Sequence, residues 1–340
     1  MGTDAKKRTV IKVLLIVFSI LAFTGFGIIL QTFLKQSGEI KKVQQTAVPI
    51  QENIDIEKER LASLKKKAKV LKTQFTETEK KSKEVIQAAN LDTLPELQSQ
   101  IMDYLEDKSG IWSVYVKNLS TQEAMLYNDQ ELKGASLLKL YIMGAVYDQI
   151  QKGNLKKDEN IAVLLNDMIT VSDNNAANQL VRILGKDQGF AAGATVVNEY
   201  ISENGYTSTE LGHDFQSERT ETPETENMTS VLDCGSFLEK IYNGSAVSQE
   251  ASQEMKAYLE KQTRKEKIPA GLPADAVCAN KTGEINGTEN DAAIVTADNG
   301  ITYILCVMTQ EVDNDSARMT IKELSAMVYS YFTGTSSESE

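Results

Sequence analysis

In the stretch GASLLKLYIMGAVYDQI, residues 134–150, a single lysine, Lys139, stands among apolar side chains three positions after a serine, Ser136. Residues three apart share one face of a helix, so this spacing lets a hydroxyl and an amine meet. Leu137, Leu138, Leu140, Ile142, Met143 and Val146 would bury that helix. Burial disfavours an ammonium and moves the lysine toward a range where the neutral amine accepts a proton. The chemistry open to the pair is nucleophilic attack by Ser136 with Lys139 as its base. Taken alone, the same spacing also fits a lysine near a helix end whose ammonium snorkels to water. Two further clusters bear on the choice. Ser172, Asp173 and Asn174, in MITVSDNNAANQLVRILG, precede a helical pattern, where all three residue types also serve as caps. Lys281, Thr282 and Gly283, in VCANKTGEINGTEND, end a strand pattern. There a lysine can pair with a substrate carboxylate and a glycine can let substrate lie against the backbone.

In this order along the chain, SxxK, SDN and KTG form the signature set of penicillin-recognising serine enzymes. The chain resembles the class A β-lactamases, within the wider family of penicillin-binding proteins and serine D,D-peptidases, over roughly residues 100–333. The segments ITVSDNNAANQLV, GLPADAVCANKTG and GTENDAAIVTADNGITYILCVMTQ look like the family's corresponding segments. The resemblance implies that Ser136 attacks a lactam or acyl carbonyl and that Lys139 helps take its proton. Ser172 would relay a proton to the leaving nitrogen, Asn174 would hold the substrate amide, and Lys281 with Thr282 would bind the substrate carboxylate. The backbone N–H groups of Ser136 and Glu284 would form an oxyanion hole beside Gly283. No cofactor is implied. The sole histidine, His213, lies outside any G-x-S-x-G context, which disfavours a Ser-His-Asp mechanism.

Two departures from the family's pattern concern turnover and recognition. The family hydrolyses its acyl-enzyme with a water activated by a glutamate on an omega loop, in a pattern near Glu-Pro-Glu-Leu-Asn, and that pattern is missing. The matching region, TELGHDFQSERTETPETENMTS, offers Asp214, Glu218, Glu221, Glu224 and Glu226, of which spacing favours Glu218 as the base. Asn178, where the family has an asparagine that supports that glutamate, is retained. The family often places an arginine beside the substrate carboxylate shortly after KTG. Here Glu289 occupies that stretch, and Lys267 is expected to substitute. The expected activity is opening of β-lactam rings through a Ser136 acyl-enzyme. The alternatives are a peptidoglycan D,D-peptidase or other cell-wall acyl hydrolase, and a wall or drug sensor that acylates without turnover.

The elements that must position these residues are legible as periodicity. LDTLPELQSQIMDYLED opens as a helix with Asp92 or Thr93 as cap. IWSVYVKNL and EAMLYN read as strands, as do AVCANKTG, DAAIVTA and ITYILCVMTQ, the last two joined through Asp298, Asn299 and Gly300. Helical patterns fill the interval, and SARMTIKELSAMVYSYF closes the domain as an amphipathic helix. The expected fold is an α/β (α+β) sandwich over 91–334, with an antiparallel sheet of about five strands from both domain ends, flanking helices and an all-helical subdomain. A polar tail, 335–340, follows.

A formal net charge of −12 argues against a nucleic-acid partner. Cys234, Cys278 and Cys306 are too scattered for a disulfide framework or a metal site. Residues 13–34, VLLIVFSILAFTGFGIILQTFL, carry no charge and can cross roughly 30 Å of hydrocarbon as a helix. Lys6, Lys7, Arg8 and Lys12 in the tail 1–12 orient the N-terminus to the cytoplasm. Residues 35–90 carry apolar positions at alternating three and four spacings, which suggests a helical stalk and a possible homodimer through it. The expectation is a single-pass cell-membrane protein with an extracellular catalytic domain. Protease added to intact cells should digest residues 91–340, whereas full protection behind a sealed membrane would reverse the topology.

Overall fold

The computed structural model describes residues 93–216 and 225–335. The expected tail 1–12, membrane span 13–34 and stalk 35–90 lie outside the described residues, as do Asp92, Glu218, Glu221 and Glu224. Among the described residues no helix is long and apolar enough to cross a membrane.

Alternation of side chains in one central sheet organises the described part. Its strands are β1 (Ile111–Asn118), β2 (Ala124–Tyr127), β5 (Val277–Ile285), β6 (Thr288–Thr296) and β7 (Thr302–Gln310). All are antiparallel, in the order β2-β1-β7-β6-β5, so the two chain ends interleave within one sheet. Along β7, Tyr303, Leu305 and Val307 enter one apolar core while Ile304, Cys306 and Met308 enter another. Successive strand residues point to opposite faces, so this near-continuous apolar run is what a strand covered on both faces requires.

One face is covered by α1 (Pro95–Leu105) and by α8 (Asn314–Thr333), through residues such as Leu97, Ile101, Ile321 and Leu324. The other face carries α6 (Val231–Tyr242) and the helices inserted between the strands. These are α2 (Leu138–Gln151), α3 (Glu159–Thr170), α4 (Asn174–Leu184), α5 (Gly189–Glu203) and α7 (Gln249–Glu260). A two-stranded ribbon, β3 (Leu132–Lys133) with β4 (Met228–Thr229), completes an α+β fold with a five-stranded antiparallel sheet.

Element ends follow capping chemistry. Asp158, Asp173, Ser230, Ser248 and Asp313 each accept a bond from a backbone N–H in the first turn of the helix they precede. Thr93 does not cap α1. Its backbone and hydroxyl instead bond the main chain of Ala124, tying the helix entry to β2. Pro95 can then open the helix, because its missing N–H is an orphan there in any case. The turn between β6 and β7 uses Gly300 at φ +85° with its N–H on Ala297 O, the left-handed conformation that glycine adopts without strain. Cys278 and Cys306 lie on strands separated by β6, and both are free thiols.

Helix α5 braces α4 closely. A Cβ at Gly193 would fall 1.7 Å from the carbonyl oxygen of Val181. Since the obstacle is backbone, Gly193→Ala should push the helices apart and lower stability by roughly 1–3 kcal/mol. Urea unfolding of the variant checks this, and an unchanged midpoint would show that the pair has slack.

Candidate active site

Ser136 does not sit in a regular α-helix. It is the middle residue of a 3₁₀ turn, Ala135–Leu137, which runs into α2 at Leu138. Ala135 enters the turn at φ +46°, a strained conformation for a residue with a Cβ, and the Leu137 N–H closes it on Gly134 O at 2.9 Å. Lys139 is the second residue of the apolar helix α2 and is 0% exposed. Its ammonium cannot snorkel to water, and it finds partners on the 172–174 loop. Lys139 Nζ donates to Ser172 O and Asn174 Oδ1, both at 2.7 Å, and lies 3.3 Å from Ser172 Oγ.

The loop is shaped to receive it. Ser172 takes φ +60°, an uncommon conformation outside glycine. The next residue, Asp173, caps α4 by accepting from Ala176 N–H, so the cap and the site are one structure. From the opposite side Lys281, on edge strand β5, donates to Ser172 Oγ at 2.8 Å and to Thr282 O at 2.7 Å. One hydroxyl is therefore bracketed by two buried amines.

Burial pushes the Lys139 amine down to about 7, with Arg264 lowering it further and Asp173 opposing the shift. The Lys281 amine is lowered well below the ordinary lysine range, first by burial, then by the neighbouring charges of Lys139 and Lys267. Groups so perturbed at one place are a signature of function, because neutral amine becomes available near pH 7.

Strand β5 reaches Ser136 through Gly283. A Cβ there would stand 2.7 Å from Gly134 O and 3.2 Å from the backbone nitrogens of both Ser136 and Leu137. Only glycine lets the strand come this near the nucleophile's turn. Thr282 and Glu284 flank it on the same strand, Thr282 buried and Glu284 joined to Arg264 at 2.8 Å. An open cleft of about 510 Å³ lies beside the 172–174 loop, lined by Ser172, Asn174, Asn178, Phe215, Gln216 and Arg264.

The structure thus brings together Ser136, Lys139, Ser172, Asn174, Lys281, Thr282, Gly283 and Glu284. It does not bring Lys267 to the cleft. That side chain is 1% exposed, and its ammonium is 2.6 Å from a carboxylate oxygen of Glu289, itself held by Arg318. A buried lysine already compensated by a buried carboxylate has no vacancy for a substrate acid, so the expected carboxylate contact at Lys267 is corrected. The same pairing neutralises Glu289, which occupies the stretch where the family often places an arginine.

Asn178 clamps the backbone of the loop after α5. Its Oδ1 accepts from Phe215 N–H at 2.9 Å and its Nδ2 donates to Phe215 O at 2.7 Å. The backbone that this asparagine supports therefore carries a phenylalanine, and the ring lies 5.0 Å from Lys139 Nζ. Glu218 lies outside the described residues. Of the other loop acids, Glu226 pairs with Lys133 at 3.3 Å and Asp214 accepts from Gln216.

Three further residues belong to the site without having been singled out in the sequence. Arg264 is the cation on the cleft wall. Asn227 accepts from the Gly212 and His213 N–H groups and, through its backbone O, receives Gly134 N–H, so it ties the loop to the nucleophile's turn. Asn290 donates from its side chain to Lys133 O at 2.8 Å. It falls in the polar first half of β6, Thr288–Asp291, where nothing in the sequence sets it apart from its neighbours.

Comparison with known proteins agrees with this geometry. The chain matches the sequence family described as a beta-lactamase enzyme family over residues 96–164 and 160–332. It is 24% identical to Beta-lactamase FAR-1 of Nocardia farcinica over 169 residues, 49% of this chain and 52% of that protein. The chain spans about half the length of the curated relatives it matches. Among solved structures it is similar to PBP-A, at TM-score 0.63 and 25% identity, covering 71% of this chain and 97% of that one. It is also similar to a PBP-A mutant described as an acyl-enzyme complex with penicillin G, at TM-score 0.61 and 25% identity over 71% and 98% of the two chains. With the SxxK, SDN and KTG residues brought together around Ser172 and Gly283 in this fold, the chain belongs to the beta-lactamase enzyme family.

Proposed function

We propose that this chain is an acyl-serine enzyme whose Ser136 is acylated by β-lactams or by peptidoglycan-derived acyl groups and whose acyl-enzyme is hydrolysed slowly. Neutral Lys139 takes the Ser136 proton as Oγ attacks the carbonyl carbon. The C–N bond then breaks, and the leaving nitrogen receives a proton through the Ser172 hydroxyl, which lies within reach of Lys139 and Lys281. Lys281 and Thr282 hold the substrate carboxylate, and Arg264, which lines the cleft and pairs with Glu284, adds a further cation. Asn174 holds the substrate amide, and the N–H groups of Ser136 and Glu284 receive the oxyanion.

The observation that carries slow turnover is Phe215. A water attacking the acyl carbonyl needs a base, and a phenyl ring on the backbone supported by Asn178 offers none. This favours a cell-wall D,D-peptidase-like reading over a rapid β-lactamase. The apolar run 13–34 supports chemistry outside the cytoplasmic membrane.

Purified full-length protein mixed with a chromogenic cephalosporin should release about one equivalent of product per chain and then turn over slowly, with the adduct on Ser136 by mass spectrometry. Phe215→Glu should leave the burst intact and speed the later phase, by up to the 10²- to 10⁴-fold that a general base contributes. Absence of an adduct on Ser136 at millimolar drug would sink the acyl-serine reading. Fast steady-state hydrolysis by the unmodified chain would instead favour a β-lactamase with its base in residues 217–224.

The acylation rate should also follow the Lys139 amine. As pH rises through about 7 the ammonium loses its proton and becomes a base, so the rate constant for acylation should climb from acid pH and level off above that point. Stopped-flow rates between pH 5 and 9 test this, and a flat profile would remove Lys139 as the proton acceptor.

A further inference from the structure

The buried ammonium of Lys267 has no access to the cleft, yet it sits against the backbone on which the cleft is built. Besides Glu289, Lys267 Nζ donates to Asn290 O at 3.0 Å and lies 3.4 Å from Gly283 O. Gly283 and Asn290 face each other across the β5–β6 ladder. Their orientation follows from the next residue. The Glu289 N–H donates to Thr309 Oγ1, and Glu289 O accepts from the same hydroxyl, each at 2.8 Å, so the Glu289 peptide groups turn toward β7. Backbone groups alternate along a strand, which turns those of Asn290 toward β5 and those of Gly283 toward β6.

A trans peptide aims its C=O and its N–H in opposite directions. With Gly283 O directed to β6 and to Lys267, the N–H on the same peptide unit, that of Glu284, points to the free edge of β5. The nucleophile's turn packs against the same residue, since a Cβ on Gly283 would stand 3.2 Å from the backbone nitrogen of Ser136. The second oxyanion donor is reached through the same node. Asn290, held at its carbonyl by Lys267 and at its Oδ1 by Thr309 N–H, donates from Nδ2 to Lys133 O at 2.8 Å and lies 3.4 Å from Gly134 O, ahead of the turn that carries Ser136.

We infer that Lys267 is a positioning residue for the oxyanion hole: its ammonium fixes and polarises the Gly283–Glu284 peptide and, through Asn290, steadies the turn that presents the Ser136 N–H. The inference rests on acylation at Ser136 with Glu284 N–H as an oxyanion donor, and it gives Lys267 a role distinct from binding the substrate carboxylate. A positive charge beside a carbonyl oxygen draws electron density from the amide, so the N–H on its far side becomes a better donor. Only a group that develops charge in the transition state benefits, which makes the effect one on the chemical step and not on binding.

The test replaces both buried partners together, because removing Lys267 alone would strand the Glu289 carboxylate, whereas apolar replacement of a buried ion pair is often tolerated. Full-length Lys267→Met/Glu289→Met is compared with the unmodified chain for the dissociation constant of the initial β-lactam complex, the acylation rate constant, and the infrared stretch of the acyl-enzyme ester carbonyl. The expected result is a dissociation constant within about twofold, acylation slower by about tenfold or more, and a carbonyl band moved to higher frequency, since loss of a single oxyanion donor lowers rates by about 10²- to 10³-fold. Arg318→Met, which loosens the outer end of the same ion-pair chain, should lower the melting temperature without changing the acylation rate. A folded double variant with unchanged acylation rate and carbonyl band would overturn the inference. So would failure of the double variant to fold, which would make the ammonium a structural requirement only. If the unmodified chain itself forms no Ser136 adduct, the proposed function fails first, and the two failures are told apart.

Discussion

Everything around the cleft depends on keeping two amines, Lys139 and Lys281, out of water on either side of the Ser172 hydroxyl. Desolvation makes each charge expensive, and they repel one another, so the fold must supply compensating dipoles at fixed points. Lys139 is met by a carbonyl and an amide oxygen, Lys281 by a carbonyl of its own strand. Meeting those points is what holds Ser172 in a left-handed conformation and sets the start of α4. The site and the scaffold are therefore not separable layers. The helix cap at Asp173, the bracketed serine and the perturbed lysines are consequences of one arrangement.

Much of the scaffold was legible because its signals are local. The apolar strand run ITYILCVMTQ of β7 and the cap residues Ser172 to Asn174 ahead of α4 depend on neighbours in sequence. The cleft was legible because three short motifs each keep their spacing on one element: Ser136 and Lys139 on a turn and its helix, Ser172 to Asn174 at a cap, Lys281 to Gly283 at a strand edge. What was not legible arises where residues meet only through the tertiary fold. Lys267 looked like a free cation near KTG, and nothing in the sequence shows that Glu289 turns inward to neutralise it. Thr93 had the composition of a cap, but an unpaired edge at Ala124 offered it better bonds. Arg264 and Asn227 lie in irregular segments where neither periodicity nor motif marks them.

The loop after α5 shows how one position divides related chemistries. Asn178 holds its backbone through both amide atoms, a rigid clamp that fixes which side chain faces the nucleophile's lysine. With a carboxylate there, water would be activated. With Phe215 there, a phenyl ring lies 5.0 Å from the Lys139 amine, and water finds no acceptor. On the proposed reading, acylation and deacylation are governed by different parts of the same cleft.

The surplus of positive charge around Ser172 has a calorimetric consequence. In the empty cleft Lys139 and Lys281 are held toward their neutral forms, with Arg264 adding to the field that disfavours protonation. On the proposed reading, a ligand carboxylate entering beside Lys281 would reverse that field locally and favour protonation of the amine. Association with an anionic ligand is then coupled to proton uptake. The heat of binding therefore varies with the ionisation enthalpy of the buffer, and affinity for such ligands declines toward alkaline pH, even for anions too small or too inert to be attacked by the serine.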